Sequence, residues 1–214
     1  MIEVGLVIAR FLHYAATTSL VGLSLFPLYA YAEVEPDVLG RWRQRWLLWA
    51  AVAALFSGIC WFAFAAANMS GSMTDLVDAE TVWAVVHDTS FGAVWTLRML
   101  LAVSAVGVAA WGLRSKGTAH RQNWMKPPLA AILLGSLAGT GHAQIEEGWN
   151  GVAHIVADAV HLLAAGAWLG GLIPLAFILH RYLGMDLNVG PKDMDRILMR
   201  FSGMGYLAVA ALIG

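Results

Sequence analysis

The chain has 214 residues, of which 59% are hydrophobic and only 13% are charged, and its formal net charge is −1. Soluble domains are about 45–50% apolar and about 25% charged, so this composition excludes an ordinary soluble domain and indicates a membrane protein. The near-zero net charge argues against a nucleic-acid partner, and a single cysteine, Cys60, excludes an intrachain disulfide and a cysteine-based zinc site.

Long apolar runs predict an all-α fold, a polytopic transmembrane helix bundle. A helix needs about 20 apolar residues to cross a hydrocarbon core of about 30 Å, and the alternating ten-residue segments of transmembrane strands are absent. Six spans are predicted: Val4 to Tyr31, Trp46 to Ala67, Phe91 to Leu113, Pro127 to Ala143, Val152 to Leu179, and one that starts near Phe201. No low-complexity linker or soluble domain separates them, so residues 1–214 form one predicted transmembrane domain. The last run is short, and we expect the chain to be truncated at its C-terminus.

The distribution of lysine and arginine predicts the orientation of the bundle. The loops predicted after spans one, three and five are basic and carry Arg41, Arg43 and Arg45, then Arg114, Lys116, Arg121 and Lys126, then Arg181, Lys192, Arg196 and Arg200. The loops after spans two and four hold carboxylates and no lysine or arginine. By the positive-inside rule the basic loops are cytoplasmic, so the N-terminus is predicted to lie outside the cytoplasm.

Three charged residues, Arg10, Arg98 and Asp158, fall inside predicted spans. Each costs roughly 2.5–3.5 kcal/mol at a helix centre, so such a group is expected to face the bundle interior and to have a partner. We therefore expect Arg10 and Arg98 to act as structural counter-charges that orient Asp158.

Several polar residues share the outer half of the predicted bundle. With a helical rise of ~1.5 Å per residue, His13 and His161 lie ~13 Å from the outer ends of their spans and Arg98 lies ~10 Å in. His154 lies closer to the surface on the same span as His161, and His142 ends span four at its outer side. The sequence therefore predicts one polar layer built from several helices.

The segment HIVADAVH suggests a metal-binding chemistry for this layer. His154, Asp158 and His161 are spaced i, i+4 and i+7, which places them on one face of a helix. Imidazole suits Cu(II), zinc and iron, whereas the thioethers of Met69 and Met73, in the predicted outer loop, suit Cu(I). The predicted metal ligands are His142, His154, Asp158, His161, His13, Met69 and Met73.

Structural interpretations remain open beside this one. The histidines can form hydrogen bonds across helices, Asp158 can neutralise an arginine, and the methionines can belong to an ordinary loop. Small-residue spacings, Gly135 to Gly139 and Gly166 to Gly170, predict close helix packing with no chemistry implied.

The run DAVHLLAAGAWLGGL, from Asp158 to Leu172, resembles the signature of the CopD copper-resistance and copper-transport proteins of bacterial inner membranes. The segments GHA at residues 141–143 and FGAVWTLR at residues 91–98 resemble the same family. The resemblance implies an inner-membrane protein that handles periplasmic copper, often with a small CopC-like copper-binding partner in the periplasm. The polar residues that match are Arg98, His142, Asp158 and His161. Family members usually have about eight spans, more than this chain shows.

These residues are compatible with three functions. The first is a non-enzymatic copper-binding protein for copper transport or homeostasis, which receives copper at a His/Asp site in the periplasmic half of the bundle. The second is a non-covalent b-type haem protein for electron transfer or quinol or porphyrin oxidation, with axial ligands among His13, His142 and His161. The third is a scaffold whose buried polar groups serve only packing. Oligomeric state and the oxidation state of copper stay open.

Overall fold

The computed structural model describes residues 1–31, 35–72, 74, 78–114, 124–140, 148–185 and 189–213. Within these ranges the chain forms helices only, which confirms the predicted all-α bundle. The helices are α1 (Ile2–Ala30), α2 (Asp37–Ser70), α3 (Ala79–Asp88), α4 (Ser90–Arg114), α5 (Lys126–Gly135), α6 (Gly148–Leu183) and α7 (Pro191–Ile213). A 3-10 turn, Ala138–Thr140, follows α5.

Five of these helices, α1, α2, α4, α6 and α7, are long and apolar enough to cross a membrane. The fourth predicted span corresponds to α5, which has only 10 residues, and residues 141–147 lie outside the described part. The count of six spans and the outward N-terminus therefore stay predictions. The last helix begins at Pro191 and not near Phe201, because proline fits the first turn of a helix and the preceding Gly190 ends the connection.

The basic segments predicted as loops are largely helical. Arg41, Arg43 and Arg45 lie in the first turns of α2, which starts at Asp37 after Pro36. An acidic residue in the first turn favours a helix start there, because it complements the positive end of the helix dipole. With 34 residues α2 is ~51 Å long, so it is longer than a hydrocarbon core of about 30 Å. The prediction of a loop was wrong here. The three arginines nevertheless precede the apolar run of α2, as the sequence indicates.

A second predicted loop also contains a helix. Asp78 caps α3 by accepting a hydrogen bond from the Thr81 backbone N–H at 2.8 Å, and this bond holds the pKa of Asp78 below its ordinary value of 3.8. On one side of α3, Val85 is buried in a cluster with residues of α2 and α4. On the other side, the exposed Trp83 stacks on His87 with ring centroids 3.7 Å apart.

Helix α1 packs against α2, α5, α6 and α7 and forms the centre of the bundle. Its closest approach is to α6, because a Cβ atom on Gly22 would lie 1.9 Å from the carbonyl carbon of Gly170. A Cβ on Gly166 would meet Leu134 at 2.7 Å, so close packing at the Gly166 to Gly170 spacing is confirmed.

The Gly135 to Gly139 spacing behaves differently. Among the described residues, a Cβ on Gly135 would first meet another atom at 4.0 Å, and a Cβ on Gly139 would meet none within 4 Å. The predicted close packing is therefore wrong at this pair, because the helix ends at Gly135 and Gly139 lies in the following turn.

Candidate functional site

Four polar side chains from separate segments meet inside the bundle. His13 of α1, Ser57 of α2, Arg98 of α4 and Ser136, directly after α5, form what we call the buried cluster. His13 is 0% exposed and Arg98 is 2% exposed, so neither reaches solvent or lipid. The predicted common depth of His13 and Arg98 is confirmed by their direct contact.

Hydrogen bonds determine the protonation state of His13. Its Nε2 lies 2.5 Å from Nη2 of Arg98, and because a guanidinium only donates, Nε2 accepts. Its Nδ1 lies 2.9 Å from the carbonyl oxygen of Ala54, which only accepts, so Nδ1 carries the proton. A second contact from Nδ1 reaches Ser57 Oγ at 3.2 Å. His13 is thus a neutral imidazole with both ring nitrogens engaged, and neither is available to a metal ion in this arrangement.

Both terminal nitrogens of Arg98 donate hydrogen bonds to groups other than a carboxylate. Its Nη1 donates to the carbonyl oxygen of Leu133 at 3.1 Å and to Ser136 Oγ at 2.5 Å, while Nη2 donates to His13. Within the described ranges no acidic side chain pairs with Arg98. The expected pairing with Asp158 is therefore wrong: Asp158 is exposed on α6, and carbonyl, hydroxyl and imidazole dipoles take its place around the buried charge.

Trp61 of α2 connects the two intramembrane arginines. The guanidinium carbons of Arg10 and Arg98 lie 5.4 Å and 5.9 Å from the centroid of the Trp61 ring, within the range of cation–π attraction. The His13 ring also meets Trp61 edge-on at 5.6 Å. Arg10 is exposed at the bundle surface and, in the described part of the chain, forms no ion pair with Asp158, so this expected counter-charge role is not what the structure contains.

Sequence reasoning missed Trp61, Ser57 and Ser136. A signal for the serines was present, since each is a small polar residue at the level of the predicted polar layer. Trp61 carried no such signal, because a tryptophan inside a span reads as an ordinary apolar residue. Its role follows only from the convergence of two guanidinium groups on its ring.

The three residues of the HIVADAVH segment lie elsewhere. His154, Asp158 and His161 are all exposed and occupy one face of α6, which we call the α6 polar face. The single predicted layer is therefore divided in two, because His13 points into the bundle whereas the α6 polar face points away from it. Among the described residues, no three His, Cys, Asp or Glu side chains are grouped closely enough to hold one metal ion.

Of the remaining predicted ligands, Met69 is the one that the structure describes. Met69 is 58% exposed near the end of α2. Met73 and His142 lie outside the described residues. Their roles as ligands stay predictions.

The haem alternative fits this arrangement poorly. An axial ligand must offer an imidazole nitrogen, yet both nitrogens of His13 are engaged in hydrogen bonds. His161 is exposed on α6 and does not face His13 across the bundle interior. The described residues thus provide no pair of facing histidines for a haem iron.

Comparison with known proteins identifies relatives of the chain. Residues 1–152 match the family described as "Copper resistance protein D-like, N-terminal domain". The inner membrane protein YebZ of Escherichia coli (strain K12) is 29% identical over 204 residues, which cover 95% of this chain and 67% of that protein. Copper resistance protein D of Pseudomonas syringae pv. tomato is 30% identical over 205 residues, which cover 95% of this chain and 65% of that protein. No solved structure matches.

These matches agree with the apolar helices of the fold. The chain spans about two thirds of the length of the curated relatives that it matches. A relative named as an inner membrane protein, together with five helices able to cross a bilayer, identifies a multi-pass inner-membrane protein. The family match covers residues 1–152, which is more than half of the chain. The chain therefore belongs to the copper resistance protein D-like family.

Proposed function

We propose that this chain is a non-enzymatic copper-handling protein that receives copper at the α6 polar face and contributes to copper transport or homeostasis. The single observation that carries the proposal is the exposure of His154, Asp158 and His161 together on one face of an apolar helix. Family membership supports copper as the cargo, since one relative is named for copper resistance.

Energetics argue that the α6 polar face has a function. A carboxylate at the centre of a membrane-spanning helix costs roughly 2.5–3.5 kcal/mol, and such residues mark ion or substrate pathways. Asp158 lies six residues after Val152, where the predicted span begins, or ~9 Å inside that span. The carboxylate therefore lies at a depth where it needs a cation or a polar partner.

The chemistry of the face suits a copper ion. Asp158 is one turn from both His154 and His161, and neighbouring Cβ atoms at such spacings are about 5–6 Å apart. Neutral imidazole with carboxylate is a donor set for Cu(II). Since the described residues do not group three such ligands, we propose that one more element completes the site, and His142 is the ligand expected from the family resemblance.

The side from which copper arrives follows from the predicted orientation. If the basic ends of the helices are cytoplasmic, α6 begins on the periplasmic side and its polar face opens there. A small CopC-like periplasmic protein is then the proposed donor of copper to this face.

A matched pair of variants on one helix tests the proposal. The double variant His154→Ala, His161→Ala removes both imidazoles of the face, and His180→Ala removes an exposed histidine at the other end of α6. Copper per chain is measured by elemental analysis of the detergent-purified proteins, and copper accumulation is measured in the cells. We expect the double variant to lose most of its copper and to change accumulation, and His180→Ala to match the parent.

Unchanged copper content and accumulation in the double variant would contradict the proposal. A visible absorption spectrum of the same samples separates the haem alternative, because a b-type haem gives an intense Soret band that copper bound to imidazole lacks.

A further inference from the structure

A long groove runs along the outside of the bundle between α1 and α2. Its volume is about 770 Å³, and Ile173 of α6 contributes to its lining. The floor consists mainly of small residues, Ala15, Ala16, Ser19, Ala50 and Ala53. Because these side chains are short, the two helices leave a depression between them that is almost entirely apolar.

The groove has the length of one membrane leaflet. Along α1 it extends from Leu12 to Leu23, which is ~17 Å at the helical rise of ~1.5 Å per residue. Half of a hydrocarbon core of about 30 Å is about 15 Å, whereas a membrane-spanning helix requires about 20 residues and the whole thickness. This length favours a lipid acyl chain over a covering helix.

One end of the groove carries a positive charge and aromatic side chains. Arg45 lines this end, and Trp42, Trp46 and Trp49 line the groove beside it on α2. Tryptophan and arginine at this level are typical of the membrane interface, where lipid headgroups lie. Trp42 is held in place by stacking on Phe177 of α6, with ring centroids 4.0 Å apart.

Arg45 differs from its neighbour Arg43, because no described acidic side chain pairs with it. Arg43 is 2% exposed and pairs with Glu35 at 2.6 Å. Arg45 is exposed, and within the described residues it has neither an ion pair nor a hydrogen bond. The groove therefore ends at a cation whose charge is unmatched by the described side chains.

We infer that this groove binds one acyl chain of an anionic phospholipid whose phosphate pairs with Arg45. The apolar floor accepts the chain, the indoles lie at the level of the glycerol, and the guanidinium can form two parallel hydrogen bonds with phosphate oxygens. The inference is independent of the copper site, since the groove involves none of the residues of the α6 polar face.

Native mass spectrometry of the detergent-purified chain tests this inference. The probes are phosphatidylglycerol and phosphatidylethanolamine with identical acyl chains, titrated separately. We expect tighter binding of phosphatidylglycerol and a loss of about fivefold in Arg45→Gln, since one basic residue near a membrane surface contributes about that factor for anionic lipids. Arg114→Gln, which removes an exposed cation at the end of α4 outside the groove, is expected to match the parent.

A second variant tests the groove itself. Ala53→Phe places a ring on the floor, so it should weaken the binding of both lipids while the helical circular dichroism stays unchanged. Equal binding of the two lipids with no effect of Arg45→Gln would overturn the inference, because that result describes ordinary annular lipid. A change of oligomeric mass in Ala53→Phe without a change in lipid binding would also overturn it and would assign the groove to a second copy of the chain.

Discussion

His13 and His161 are both histidines in apolar helices, yet they lie in opposite environments. His13 is fully buried and its two ring nitrogens are engaged by Arg98 and Ala54. His161 lies exposed on α6 beside Asp158. The same residue type at the same predicted depth therefore serves packing in the buried cluster and remains accessible on the α6 polar face.

The comparison teaches that a polar side chain buried in a hydrogen-bonded cluster has a structural role, whereas an exposed one is a candidate ligand. The buried cluster already contains a cation, Arg98, whose two terminal nitrogens donate to Leu133, Ser136 and His13. A buried polar network of this kind stabilises one packing arrangement when every member is satisfied. The α6 polar face lies in the opposite environment, since His154, Asp158 and His161 are all exposed.

The largest expected effect is at the crossing that holds the two regions together. In Gly22→Ala, the new Cβ would lie 1.9 Å from the backbone of Gly170, so α1 and α6 must separate. Overpacking costs up to about 3 kcal/mol, and backbone atoms cannot rotate away as a side chain can. We expect a loss of that size in the free energy of unfolding, measured in mixed micelles.

Gly107→Ala in α4 is the matched control, because a Cβ there meets no described atom within 4 Å. It should be neutral or slightly stabilising, since alanine is the better helix former. Equal effects of the two substitutions would show that α1 and α6 do not cross at this point.

An intermediate effect is expected when the buried cluster loses its cation. Arg98→Met keeps the length of the side chain but leaves Nε2 of His13 without its donor. An unsatisfied buried polar group costs about 1–3 kcal/mol, so we expect a loss of about 2 kcal/mol in the free energy of unfolding. Copper content, measured on the same samples, should stay at the parental value, and its selective loss from folded protein would assign the cluster to copper binding instead.

The smallest expected effect is at His161, and the matched substitution at His13 is its comparison. His161→Leu removes an exposed side chain from α6 and should change stability by no more than about 0.5 kcal/mol. His13→Leu should cost about 2 kcal/mol, because it leaves a donor of Arg98 unpaired. Thermal unfolding followed by intrinsic tryptophan fluorescence compares the pair, and a reversed order would reject the distinction between the two regions.

Much of the fold could be predicted because hydropathy is a local property. The apolar runs located the five long helices. Depth was also predictable, since a fixed rise per residue placed His13 and Arg98 at one level, where they meet. The Gly166 to Gly170 spacing correctly indicated a close approach of helices.

Predictions failed where the answer depends on how each helix is rotated. Asp158 was expected to pair with Arg98, yet Arg98 turns toward His13 and Ser136 while Asp158 turns outward. The early start of α7 and the helix α3 were missed for another reason. Their charged and polar residues gave these segments the composition of loops.

The sequence by itself determined that this is an apolar helical bundle, that His13 and Arg98 share one level, and which copper-resistance family its motifs resemble. Only the tertiary structure decided which groups meet, because that depends on helix rotation and on the contact of Gly22 with Gly170. These are properties of packing between distant segments. They enclose His13 and Arg98 in a satisfied network and leave His154, Asp158 and His161 on an accessible face.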